Sequence, residues 1–200
     1  MSSDEPHPAP DLTALIGSRI CHDLISPIGA IGNGLELLEM SEGKTPELAL
    51  IAESVGNANA RIRFFRIAFG MALPDQGAPR SQIVSILKDM YGGTRLKVEW
   101  LVENDCHRRE ARAAFLALMC LESALPYGGD ISIARNNGKW RLAGLSPKLK
   151  FDADLWAALD GHLAKITPNE VHFALLPGAL AQIGRRVVME RSEAAITLDF

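Results

Sequence analysis

Two runs of apolar residues, each spaced by alternating steps of three and four, constrain the fold most. The first run is Cys21, Leu24, Ile28, Ile31, Leu35 and Leu38, and the second is Leu48, Ile51, Val55, Ala58, Ile62, Phe65 and Phe69. This is the heptad spacing of helices that pack against other helices. Between the runs, residues 41–45 (SEGKT) break the pattern, and Thr45 and Pro46 are suited to start a new helix. We therefore predict a helical hairpin over residues 11–73.

The predicted hairpin leaves part of its apolar surface uncovered. At about 1.5 Å per residue each arm is on the order of 40 Å long, and two such arms cannot enclose an apolar stripe on their own. A second copy of the chain, related by a two-fold axis, covers both stripes. The sequence thus predicts a homodimer with a central four-helix bundle.

The remainder of the chain divides into a tail, a linker and a mixed domain. Residues 1–10 are polar and contain three prolines, which predicts a disordered tail. Residues 74–80 (PDQGAPR) have the composition of a linker. The patterns that follow predict helices near residues 81–91, 108–125, 152–159 and 169–183, and strands at 96–102, 130–135, 139–145, 186–191 and 195–200. The sequence NNG at residues 136–138 predicts a hairpin turn.

These elements predict the fold class. The chain is α+β, with an N-terminal helical hairpin followed, over residues 81–200, by an α/β sandwich that has helices on one face of a largely antiparallel sheet.

Charge and composition exclude several classes of partner. The net charge of -3 and the pI near 6.0 offer no basic field for a nucleic acid. No segment approaches the roughly 18 to 20 apolar residues that span a bilayer, and the first ten residues lack the apolar core of a signal peptide. The three cysteines are odd in number and widely spaced, which indicates buried thiols and neither a disulfide nor a zinc site. We expect a cytoplasmic protein without membrane or nucleic-acid partners.

The first helix carries a histidine on its outer surface. On a helical wheel His22 lies roughly 130 degrees from the apolar seam, with Gly29 on the same line and Ser26 and Asn33 on the line beside it. These small residues leave a shallow depression in the surface next to His22. Glycines and Pro27 disfavour a helix, so this arrangement substantially reduces the local stability of the helix. Alternatively, Pro27 makes a kink that aids packing and the glycines admit a neighbouring helix closely.

The residues next to His22 suit a nucleophile. Asp23 can accept a hydrogen bond from Nδ1 of the imidazole and so leave Nε2 free to react. Ser26 lies one turn further on, where it can orient a water molecule or a phosphoryl oxygen. The alternative is an ordinary solvated surface histidine.

Arginines of both arms are predicted near the height of His22. A hairpin that turns near Gly43 places His22 level with Phe64. The arginines around that height are Arg19, Arg61, Arg63 and Arg66. Guanidinium groups match the geometry of phosphate and carboxylate, so these residues suit a phosphoryl group or an acidic partner. The alternative is a solvated basic rim.

Three segments carry a resemblance to a known family. HDLISP resembles the phospho-acceptor box of histidine kinases. More closely, RICHDLISPIGAIGNGLELL (19–38), FFRIAFG (64–70) and ESALPYGG (122–129) resemble the alphaproteobacterial histidine phosphotransferases of the ChpT type. The match runs in order over most of the chain and is strongest in the first helix.

The resemblance implies a dimer whose central bundle is flanked by domains similar to the ATP-binding domain of histidine kinases, but unable to bind ATP. Ser123 stands where kinases have an Asn that coordinates Mg²⁺, and no D-x-G-x-G box follows it. Gly128 and Gly129 are typical of a turn. The resemblance therefore implies no cofactor and no ATP, with Mg²⁺ held only by a partner.

The same resemblance implies a function. His22 would take a phosphoryl group from the aspartate of one receiver domain and pass it to another, the partners being the receiver domains of a hybrid histidine kinase and of response regulators. Two alternatives stay open: a histidine kinase or its phosphatase form, and a non-enzymatic module that binds receivers or a kinase and uses His22 only as contact surface.

Overall fold

Two long helices open the chain, as the heptad spacing predicts. In the computed structural model, which describes residues 11–73, 75–162 and 164–200, α1 spans Leu12–Glu42 and α2 spans Pro46–Ala68. The Asp11 side chain caps α1 by accepting a hydrogen bond from the backbone N–H of Ala14 at 3.0 Å, and Oγ1 of Thr45 caps α2. The helical hairpin is confirmed. The predicted disorder of residues 1–10 lies outside the described residues.

The open end of the hairpin is held together by two small residues of α1. A Cβ atom built on Gly17 would lie 2.7 Å from the carbonyl oxygen of Phe69, so only glycine allows the backbones to approach this closely. Next to it, Oγ of Ser18 accepts a hydrogen bond from the N–H of Met71 at 2.7 Å. The chain segment that leaves α2 is therefore fixed against the first helix, one turn before His22.

The rest of the chain forms a sandwich of helices on a sheet. Its elements are β1 (Gly77–Ala78), α3 (Arg80–Tyr91), β2 (Leu96–Trp100), β3 (Cys106–His107), α4 (Arg108–Ala124), β4 (Gly129–Asn136), β5 (Lys139–Leu145), α5 (Ala153–Trp156), 3-10 helices at Ala157–Asp160 and Pro168–Glu170, α6 (Val171–Ala181), β6 (Val188–Arg191) and β7 (Ala195–Asp199). The main sheet has the order β2-β4-β5-β7-β6, and β1 pairs with β3 in a separate two-stranded sheet.

The predicted elements all have counterparts, with differences at their ends. Strand β2 stops at Trp100, two residues before the predicted end, and the helix predicted at 169–183 begins as a 3-10 turn and ends at Ala181. The sheet is antiparallel except for β2 and β4, which α4 connects in parallel. The turn before β5 has positive φ angles at Asn137 and Gly138, as the NNG sequence predicts. The short strands β1 and β3 were not predicted.

One hydrophobic core joins the sandwich to the hairpin. Trp140 of the sheet and Phe115 of α4 are fully buried in it, and so are Phe64, Ile67 and Ala68 from the last turns of α2. The Phe64 ring lies 4.8 Å from that of Phe115, centroid to centroid. Burial of one such side chain stabilises the fold by roughly 1.5–3 kcal/mol. The core therefore crosses the predicted boundary between residues 11–73 and 81–200 and fixes the end of α2 near His22 against the sandwich.

The three cysteines are free and buried, as their spacing predicts. None of the helices in the described part of the chain combines the length and the hydropathy that a membrane span requires.

Candidate functional site

His22 projects from the outer surface of α1 with 85% of its side chain exposed. Its Nδ1 lies 3.3 Å from Oδ1 of Asp23, and Nε of Arg19 donates to the other carboxylate oxygen at 2.7 Å. The hydrogen bond from His22, followed by the charge of Arg19, holds the pKa of the Asp23 carboxyl below its usual value. An ionised Asp23 accepts a hydrogen only from a protonated Nδ1, so the lone pair of Nε2 is left facing solvent.

A cavity of about 570 Å³ opens beside His22, between the hairpin and the sandwich. It is lined by Ser18, His22, Ile25, Ser26, Arg66, Ile67, Met71, Gln76, Gly77, Gln82 and Arg108. The structure thus brings together three predicted site residues, His22, Ser26 and Arg66. None of the described residues that line this cavity carries a carboxylate, so its polar surface is made of cations, amides and hydroxyls.

Gly29 and Asn33 lie further along the same side of α1 and outside the cavity. A Cβ atom built on Gly29 meets none of the described residues within 4 Å outside its own helix, whereas a Cβ on Gly17 would clash with Phe69 and one on Gly32 would lie 3.8 Å from Val55 of α2. Asn33 is exposed. Within one chain, then, Gly29 does not serve close helix packing, which favours the interpretation that it lowers the surface near His22.

Arg61 and Arg63 lie near the height predicted for them but face away from the histidine. Arg63 donates to Oδ2 of Asp89 at 2.6 Å, so it joins α2 to α3. Arg61 borders a separate cavity, in which the Tyr91 hydroxyl donates to Oε2 of Glu122 at 2.9 Å and burial raises the pKa of Glu122. A role for Arg61 and Arg63 at the phosphoryl group stays a prediction, and these contacts do not support it.

Arg108 is the main site residue that the sequence reasoning missed. It is 5% exposed, and its guanidinium donates to the carbonyl of Ile67 at 3.0 Å and to the carbonyl of Arg66. Burial, followed by the charges of Arg66 and Arg112, lowers the pKa of Arg108 to about 10. A signal for it did exist: basic residues in the first turn of α4 oppose the dipole of that helix, so they need a partner elsewhere.

In the sandwich, the position that resembles a kinase Mg²⁺ ligand is engaged within its own helix. Oγ of Ser123 donates to the carbonyl of Cys120 at 2.7 Å. Gly128 and Gly129 form the turn into β4 with positive φ, and a Cβ on Gly128 would lie 2.6 Å from the carbonyl oxygen of Arg95. In the part of the chain that the structure describes, no group of three or more His, Cys, Asp or Glu side chains is placed to hold a metal ion.

Comparison with known proteins supports the class that this fold and site indicate. The family model for the histidine phosphotransferase C-terminal domain matches residues 80–195, and the chain belongs to that family. It is 61% identical over 62 residues to the protein phosphotransferase ChpT of Brucella abortus (strain 2308), a match covering 31% of this chain and 30% of that relative. The matched segment is therefore less than a third of ChpT.

Solved structures extend the similarity over the whole chain. A bacterial phosphotransferase superposes with a TM-score of 0.68 at 25% identity and covers 99% of both chains. Full-length ShkA in complex with AMPPNP gives a TM-score of 0.51 at 15% identity, covering 94% of this chain and 45% of ShkA, which is a likeness of fold alone. The resemblance to histidine phosphotransferases of the ChpT type, and the α+β fold class, are confirmed.

Proposed function

We propose that the protein is a phosphorelay intermediate, in which His22 takes a phosphoryl group from the aspartate of one receiver domain and passes it to the aspartate of another. One observation carries the proposal: Nδ1 of His22 faces a carboxylate oxygen of Asp23, an arrangement that favours the tautomer with a free Nε2, beside a cavity that contains Arg66 and no carboxylate among its described residues. A nucleophile with a fixed tautomer next to a cationic surface suits attack on a dianionic phosphoryl group.

The transfer step balances without a further reactant. The Nε2 lone pair of His22 attacks phosphorus, the N–P bond forms, and the bond from phosphorus to the aspartyl oxygen breaks, with its electron pair leaving on the receiver carboxylate. The hydrogen on Nδ1 stays in its bond to Asp23, which stabilises the positive charge that develops on the imidazole. In the second half-reaction, the carboxylate of another receiver attacks phosphorus and Nε2 leaves with its lone pair.

The site has a second wall that belongs to the sandwich. Gln76, Gly77 and Gln82 border the same cavity as His22, and they come from the segment after α2 and from α3. A receiver that delivers its aspartyl phosphate to His22 would contact both α1 and this wall. We propose that the sandwich serves as a docking surface and binds no ATP, because Ser123 bonds within its own helix and the glycines after it form a tight turn. Mg²⁺ would then be held by the receiver alone.

The hairpin is proposed to pair with a second copy of the chain. Leu24, Ile31 and Leu38 of the predicted seam are 45%, 49% and 43% exposed in the single chain, whereas Cys21 and Leu35 of the same seam are buried within it. Leu50 and Ile51 extend the exposed apolar surface onto α2. A row of large apolar side chains that continues the heptad spacing fits an identical row on a two-fold related copy. The three unpaired cysteines fit a reducing compartment, so the proposed location is the cytoplasm.

The test uses receiver domains charged with radiolabelled acetyl phosphate, mixed with the full chain or with its His22→Gln variant. The wild type should take up label that acid releases and alkali does not, and His22→Gln should take up none while its circular dichroism is unchanged. A binding module would bind the charged receivers equally well in both forms and acquire no label. Label from radiolabelled ATP, with the protein alone, would instead identify a kinase.

A further inference from the structure

The first turns of α4 are fastened to the end of α2 by arginine side chains. Arg108 donates to the carbonyls of Ile67 and Arg66, and Nε of Arg112 donates to the carbonyl of Ala68 at 3.3 Å. The last carbonyls of a helix lack intrahelical partners and form the negative end of its dipole. Arg108 and Arg112 therefore have the same structural role, since both are buried and both cap the C-terminal end of α2.

Arg108 and Arg112 differ in the charged groups that surround them. The guanidinium of Arg112, 3% exposed, forms an ion pair with Oδ2 of Asp11 at 3.1 Å. Arg108 has no carboxylate partner among the described side chains, and the same is true of Arg66, which lies beside it. Of the two capping arginines, Arg108 borders the cavity next to His22 and Arg112 does not.

The charges at this end of α2 do not cancel. Arg66, Arg108 and Arg112 bring three positive charges, which meet the single carboxylate of Asp11 and roughly half a negative charge from the helix end. The lowered pKa of Arg108 agrees with such a surplus, since the charges of Arg66 and Arg112 contribute to it after burial. A phosphoryl group carries about 1.5 to 2 negative charges at neutral pH. Its charge is therefore close in magnitude to the net positive charge at the end of α2.

We propose that Arg66 and Arg108 together form the counter-charge for the phosphoryl group on His22, so that a residue of the sandwich sets how strongly the bundle holds phosphate. Arg66 is exposed at the cavity and contacts the group; Arg108 is a positioning residue, which fixes the backbone of Arg66 from behind and adds a buried charge. This inference rests on the proposed function, and it names the residues that set the equilibrium of phosphoryl transfer between a receiver and His22.

The quantity that reports this role is the partition of phosphoryl groups at equilibrium between the receiver and His22. Loss of a buried positive charge that borders the same cavity as the dianion, at an effective dielectric constant of about 20, should change that equilibrium constant by about tenfold or more. A purely structural capping role would lower the stability of the fold and leave the partition unchanged.

The experiment compares Arg108→Gln, Arg108→Lys, Arg66→Gln and the matched control Arg112→Gln in the full chain. Label is equilibrated from both directions with a receiver charged by radiolabelled acetyl phosphate. Arg108→Gln and Arg66→Gln should each move the partition about tenfold toward the receiver, whereas Arg108→Lys should stay within about threefold of the wild type. Arg112→Gln should be destabilised in thermal melts, as it loses a cap and an ion pair, and should move the partition much less than Arg108→Gln, because Arg112 does not border the cavity next to His22.

Three results would overturn the inference: a wild-type partition in Arg108→Gln, an unchanged partition in Arg66→Gln, or an equal shift in Arg112→Gln. If Arg108→Gln does not fold, Arg66→Gln decides, because its side chain is exposed and packs into no core. If the wild-type chain takes up no label at all, the proposed function is refuted. If the wild type is labelled but the variants show one of the three results above, only this inference fails.

Discussion

Nδ1 of His22 and Oδ1 of Asp23 lie 3.3 Å apart, although consecutive residues of a helix point in different directions. Arg19, one turn earlier, donates to the other oxygen of the same carboxylate at 2.7 Å. The Asp23 side chain is thus held between a guanidinium and the imidazole. The reduced pKa of Asp23 keeps it ionised, and able to accept from Nδ1, at neutral and mildly acidic pH.

This relationship predicts the effect of changes at Asp23. In Asp23→Asn the side chain keeps its size but loses its charge, so it no longer selects the tautomer or stabilises a cationic imidazole. We expect the rate of phosphoryl transfer to fall roughly 10- to 100-fold, less than the loss of about 10⁴ seen when the orienting acid is buried. Arg19→Gln is the control, because the carboxylate remains, and it should lower the rate by less than about threefold. Single-turnover transfer from a charged receiver measures both, and equal losses would contradict this assignment.

The open surface at Gly29 predicts a dependence on side-chain size. Outside its own helix, none of the described residues lies within 4 Å of a Cβ at this position, so both Gly29→Ala and Gly29→Leu should fold. Each should gain up to roughly 1 kcal/mol of stability, since glycine disfavours a helix. If a receiver rests on this surface, Gly29→Leu should weaken its binding at least about tenfold, whereas Gly29→Ala should change it little. Equal binding by both variants in calorimetry would place the receiver elsewhere.

The hairpin was predictable from the sequence because its signals are local. The heptad spacing, the cap at Thr45 and the proline that follows it act within a few residues, and the structure has α2 beginning at Pro46. The side of α1 that carries His22 follows from the same spacing. The alternation of helices and strands after residue 80 also follows from local patterns, which is why their ends differ by only a few residues.

The directions of the arginines were not predictable in this way. The turn of the hairpin gives the height of Arg63 along α2. The direction of its side chain depends on where α3 packs, because Arg63 forms an ion pair with Asp89 of α3. Arg108 is more than forty residues away along the chain from the carbonyls that it caps. Contacts between distant elements are set by packing of the common core, which no local pattern encodes.

The exposed seam predicts how the proposed dimer can be broken. Ile31→Glu combined with Leu38→Glu places two charges where apolar side chains would meet across the two-fold axis, at a cost of several kcal/mol. Light scattering at micromolar concentration should then give the mass of a single chain, with helix content largely kept. Glu36→Lys, on the outer side of the same helix, is the control and should leave the dimer intact. A wild-type chain that is already monomeric would contradict the proposed assembly.

Buried His172 predicts a pH dependence of stability that is separate from the phosphoryl site. Its side chain is 3% exposed in α6, its ring lies 4.9 Å from that of Phe173, and neither ring nitrogen has a hydrogen-bond partner among the described residues. Burial lowers the pKa of His172 from 6.5 to about 4. Below about pH 6.5, His172 therefore binds a proton in the unfolded chain but not in the folded chain. The free energy of unfolding consequently falls as pH decreases toward about 4.

The slope in that window approaches about 1.4 kcal/mol per pH unit for one proton, so the fold should lose on the order of 2 kcal/mol between about pH 7 and pH 5. Other groups add their own pH dependence, which the comparison of variants removes. His172→Phe should be less sensitive to acid by about that amount, because it cannot take up a proton in the unfolded state, whereas His162→Gln, at an exposed histidine, should keep the wild-type slope. Urea denaturation at the two pH values measures the difference, and equal slopes for His172→Phe and the wild type would show that His172 is protonated equally in both states.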